Sequence, residues 1–60
     1  MKDRIDEIFA KMDEFRKEAT DHAMKNNKAA GRRARNASLE LTKMFKEYRW
    51  VSVEWDKNNE

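Results

Sequence analysis

A chain of 60 residues makes at most one domain, and 38% hydrophobic against 43% charged residues is too lean to bury a substantial core in a single copy. There is no cysteine and His22 is the sole histidine, so neither a disulfide nor a zinc cluster can brace the fold, and support has to come from association with another copy. Met1 to Phe15 holds no apolar run fit for a signal peptide and no segment approaches the ~20 apolar residues of a membrane span, so a soluble cytoplasmic protein without a membrane partner is expected.

With no proline and one glycine, long helices are the default. Ile5, Ile8, Met12, Phe15, Ala19 and His22 recur at spacings of three and four, the a and d positions of a heptad, and predict a helix over about residues 2–24. Its outward b and c positions carry Asp6, Glu7, Asp13, Glu14 and Asp21. Glu18, Asp21 and His22 share one turn, but no second histidine completes a metal set. His22, at a d position, is therefore expected as a partly buried interface residue, and no metal or other cofactor is expected.

A turn at about residues 24–27 follows, with Asn26 or Asn27 able to cap the next helix through its side-chain oxygen. The second helix is predicted over about residues 27–53, because Ala30, Ala34, Ala37, Leu41, Met44, Tyr48, Val51 and Trp55 alternate spacings of four and three. Gly31 then lies inside it at a cost of ~1 kcal/mol against alanine, which implies close packing there. The alternative, in which Gly31 ends the first helix and the turn lies later, stays open. Val51, Val53 and Trp55 also alternate as a short strand would, and residues 56–60 are expected to fray.

Charge and size select the register of the two helices. Folding back with Arg4 opposite Glu47, Lys11 opposite Glu40 and Glu18 opposite Arg33 makes every g pair opposite in sign, and sets Phe9 against Phe45 and Ala23 against Gly31 at e. Sliding by one heptad would oppose Glu18 to Glu40 and Lys25 to Arg33. In the preferred register Tyr48, Val51 and Trp55 project beyond Met1, while Phe9 and Phe45 form a second apolar strip. These five residues are the expected oligomer interface. The expected fold is all-α, an antiparallel two-helix hairpin in one domain, dimerising into a four-helix bundle.

Function is expected on the outer face of the second helix. Lys25, Lys28, Arg32, Arg33 and Arg35 crowd into eleven residues without an acid, while the rest of the chain carries a net −3. From Lys28 to Val53 the b, c and f positions hold Lys28, Arg32, Arg35, Lys43, Lys46 and Arg49 and no acid, with Glu40, Glu47 and Glu54 confined to g. Cations on long stems suit phosphate contacts along double-stranded DNA, with too few base-reading groups for more than slight sequence preference. With Arg33, these six form the candidate DNA-binding set. Trp50, at c, contacts a partner or nucleic acid, or is covered in the oligomer, and coverage is the preferred reading. Neither serine has a base to activate it, and the sequon Asn36-Ala37-Ser38 falls within a helix and reads as accidental, so neither catalysis nor a small-molecule substrate is expected. The competing reading is a protein-interaction bundle that docks a partner on Tyr48, Trp50 and Trp55.

The blocks Asn27-Lys28-Ala29-Ala30-Gly31, Arg33-Ala34-Arg35, Ala37-Ser38-Leu39-Glu40-Leu41, Phe45-Lys46-Glu47-Tyr48-Arg49 and Val51-Ser52 fall in order without gaps. This second half resembles the bacterial linker-histone-like DNA-binding proteins of chlamydial type, whereas the first half is similar only as a generic acidic amphipathic helix. The resemblance implies a nucleoid-associated protein that binds and compacts DNA with little sequence preference, and its basic helix maps onto Lys28, Arg33, Arg35, Lys46 and Arg49. Family members carry on into a long lysine- and alanine-rich tail, so a short form is expected here. Asn36 and Trp50 stand where lysine is expected.

Overall fold

The computed structural model describes residues 1–58, which form two helices, α1 (Lys2–Lys25) and α2 (Lys28–Asn58), packed side by side as an antiparallel hairpin. The reversal takes two asparagines. Asn26 closes α1 in the left-handed region at φ 54°, ψ 38°, a conformation asparagine tolerates better than most side chains. Asn27 then caps α2, its Oδ1 accepting a hydrogen bond from the Ala30 N–H at 3.2 Å. Of the two asparagines, Asn27 is thus the cap. Gly31 lies in the first turn of α2 rather than at the end of α1.

The seam is narrow because its α2 side is built largely from small residues. Ile8, Ala30, Gly31, Ala34, Ala37 and Leu41 are buried, while Met12 and Phe15 on α1 keep more than a third of their surface. Alanines on one helix let the backbones approach closely, and burying Ile8 and Leu41 contributes about 1.5–3 kcal/mol each. Packing at Gly31 is tight: a Cβ there would meet the His22 ring at 2.7 Å from Cδ2. His22 occupies that place instead of the expected Ala23. The residue is nevertheless exposed rather than partly buried.

All three expected cross-pairs form. Arg4 Nη1 donates to Glu47 Oε2 at 3.1 Å, Lys11 Nζ lies 2.7 Å from Glu40 Oε2, and Arg33 Nε donates to Glu18 Oε2 at 2.7 Å. Because Arg4 sits opposite Glu47, the last turns of α2 run past the start of α1, giving a rod of 49 × 15 × 12 Å. These turns are helical from Val51 to Asn58, beyond the expected end near residue 53 and in place of any strand. Two local contacts support them: Ser52 Oγ donates to the Arg49 carbonyl at 3.0 Å, and Lys57 lies 3.7 Å from Glu54. Residues 59 and 60 of the expected frayed end lie outside the described residues.

Candidate nucleic-acid interface

The start of α2 has no acid in its first turn. Helix N-termini carry partial positive charge and ordinarily attract acids, so Lys28 followed by Arg32 adds like charge to a site already suited to anions. From there the cations keep to one side. At 100° per residue, Lys28, Arg32, Arg35, Lys43, Lys46 and Arg49 fall within an arc of about 120° and extend about 32 Å along the axis.

None of these six has a carboxylate within 4.0 Å among the described residues, and all are exposed. Arg33 is different: it lies towards the seam and is engaged by Glu18, whose side chain keeps only 14% of its surface. Lys25, the other member of the dense run, is 3.7 Å from Asp21. The acids of α1 are partly neutralised in the same local way, Asp6 by Lys2 at 3.6 Å and Glu14 by Lys11 at 2.6 Å. Glu18 and Asp21, two of the three groups weighed for a metal, are therefore held by cations.

Among the described residues one cluster has its ionisation displaced, on the seam flank, and Lys43 of the stripe adds a weaker pull on its Glu40. Hydrogen bonds from Lys11 to Glu14 and then to Glu40 push the Lys11 ammonium up from 10.5 to about 12, and the same bond from Lys11 draws the Glu40 carboxyl below its ordinary value. Ser38 Oγ, beside the stripe, donates to the Arg35 carbonyl at 2.9 Å, a bond internal to α2.

The expected oligomer residues separate into two places. Phe9, Phe45 and Tyr48 line an open apolar groove of about 310 Å³ together with Ile5, Ile8 and Met12. Tyr48 is thus a groove residue rather than part of the overhang, because Ile5 and Ile8 reach it. Phe9 remains 58% and Phe45 40% exposed. Val51, half-buried, and Trp55 belong to the overhanging turns. Trp50 is 72% exposed on the opposite side, among the cations. Leu39 shares that stripe at 65% exposure, and the heptad reading missed it although its f position was the available signal.

In comparison with known families, the sequence model of the family described as Histone H1-like protein Hc1 aligns with residues 2–58. The match takes in both helices, so the likeness reaches well beyond the second half. No curated protein and no solved structure matches the chain.

Proposed function

The chain belongs to the Histone H1-like protein Hc1 family, a family of histone-like DNA-binding nucleoid proteins rather than of enzymes, and we propose that it binds double-stranded DNA through the exposed stripe of α2. One observation carries the reading: six cations on one helix side have no carboxylate within 4.0 Å among the described residues, while Arg33 beside them does. Unpaired surface cations are free to replace the counterions condensed on a phosphate backbone, and release of those ions drives association without reference to sequence. Little sequence preference, organisation of DNA in the nucleoid and a cytoplasmic location follow as parts of the same proposal. No helix among the described residues is long and apolar enough to cross a membrane.

A second copy completes the proposal. The groove lined by Ile5, Ile8, Phe9, Met12, Phe45 and Tyr48 is apolar and lies on a hairpin with a thin seam, which favours burial against a like surface. Two hairpins joined there form a four-helix bundle that carries two cationic stripes, so one dimer holds two DNA segments. The competing reading is a protein-interaction bundle with the cations serving only solubility, and of its docking residues Tyr48, Trp50 and Trp55 only Tyr48 lines the groove. Binding to random-sequence duplex as salt is raised separates the two: steep salt dependence supports the DNA reading, and no binding with the protein folded supports the other.

A further inference from the structure

Trp50 is the one large aromatic set among the stripe cations. Counted at 100° per residue, Arg32, Lys43, Lys46 and Lys57 all lie within about 40° of its direction on α2. Lys46 is one turn before it; one turn after it stands Glu54, which lies 3.7 Å from Lys57, two turns after. The indole is 72% exposed and makes no hydrogen bond among the described residues. A dimer formed through the groove does not cover it, because Trp50 points about 140° round the helix from Phe45. The indole thus offers a broad apolar face to solvent on the cationic side of α2.

We propose that Trp50 is a base-stacking residue, and that this face binds single-stranded nucleic acid by laying the indole against an unpaired base while the neighbouring cations hold the adjoining phosphates. The inference rests on the stripe being a phosphate-binding surface. An aromatic plane with cations one and two turns before it on the same face matches a ligand in which π-faces and negative charges alternate, and such stacking tolerates any base. An intact duplex offers the cations its phosphates but keeps its base faces stacked, so Trp50 contributes little there. A lipid surface fits less well, since Lys43 and Lys46 separate Leu39 from Trp50 and Val53, and two residues one turn apart make no continuous apolar face along the stripe.

The test uses a single-stranded thymidine oligomer and a random duplex of equal length with the whole chain. Trp50→Ala is expected to weaken single-strand binding about tenfold while duplex binding changes less than about twofold. Trp50→Phe is expected to keep most of the single-strand affinity. In Trp55→Phe, where Trp50 is the only indole, the oligomer is expected to quench emission and the duplex to leave it nearly unchanged. Equal single-strand affinity of Trp50→Ala and the parent, with duplex binding intact, overturns this inference alone. Failure to bind either nucleic acid overturns the stripe reading and the inference with it. A larger response of Trp50 emission to anionic phospholipid vesicles than to the oligomer assigns the face to a lipid surface and overturns the stacking role.

Discussion

Arg33 and Arg32 are chain neighbours with opposite employment: Arg33 donates through Nε to Glu18 across the seam at 2.7 Å, while Arg32 faces solvent with no carboxylate within 4.0 Å among the described residues. One turn of helix therefore contains a cation that holds the hairpin and a cation available to a polyanion. This division is expected to be visible in paired variants. Arg32→Gln should shallow the salt dependence of duplex binding by about one phosphate equivalent and leave the melting temperature nearly unchanged. Arg33→Gln should do the reverse, lowering the melting temperature and leaving the salt slope within error. Fluorescence anisotropy across a salt series, with thermal melts of the same samples, checks both.

The register rests on Lys11, which bridges Glu14 at 2.6 Å and Glu40 at 2.7 Å. Lys11→Glu is expected to lower the melting temperature modestly by placing an acid against two others, and adding Glu40→Lys to recover most of the loss. A double variant no more stable than the single one would mean that the two side chains do not meet.

The same pair fixes a pH dependence. Glu40 has a lowered folded-state pKa, so its contribution is present above the ordinary 4.5 and is lost as pH falls through the folded value. Lys11 has a raised one, so its contribution is fully present below 10.5 and is lost as pH rises through about 12. The stability difference between the parent and Lys11→Met/Glu40→Gln is therefore expected to be flat between these limits and to shrink at both extremes. Thermal melts over that range measure it, and a difference that grows in acid would contradict the assignment.

Gly31 and His22 make a coupled site. Alanine at residue 31 gains about 1 kcal/mol of helix propensity, but its Cβ would stand 2.7–2.9 Å from three atoms of the His22 ring, so the ring has to swing out and its contact is lost. Gly31→Ala alone is expected to be nearly neutral. In a His22→Ala background the same substitution should stabilise by about 1 kcal/mol, as read by urea unfolding. Equal effects in both backgrounds would show that the ring does not oppose the substitution.

These particulars show how far the sequence was legible. Heptad spacing located both helices, and the signs of Arg4, Lys11, Glu18, Arg33, Glu40 and Glu47 identified the register, because charge matching operates residue by residue across an antiparallel seam. His22 was not placed correctly. Heptad position specifies a side chain's direction but not its burial, and the ring fills the space a Cβ of Gly31 would take while the residue stays exposed. Tyr48 escaped for a related reason, since whether an overhanging residue finds a groove depends on the side chains of the facing helix. The cationic stripe was legible as a pattern, but the engagement of Arg33 by Glu18 became part of it only through the register.

The groove gives a further expectation. Phe45→Asp sets a carboxylate into an apolar surface lined by Ile5, Ile8 and Phe9, and should raise the dimer dissociation constant by roughly a hundredfold or more. Phe45 is 40% exposed in the single hairpin, so helicity should largely survive. Sedimentation equilibrium at micromolar concentration, with circular dichroism on the same samples, reads both quantities. A parent protein that is monomeric and fully folded over that range would contradict the bundle.

The central claim is that Lys28, Arg32, Arg35, Lys43, Lys46 and Arg49 meet phosphates together, and titration of random-sequence duplex binding against salt tests it most directly. The account expects log affinity to fall with log salt at a slope of about −5 per hairpin, shallowing by roughly 2 when Arg35 and Lys46 are both removed, with all sequences weakened alike. A folded protein that shows no duplex binding at about 50 mM salt, or a slope unchanged by removal of those two cations, would contradict it.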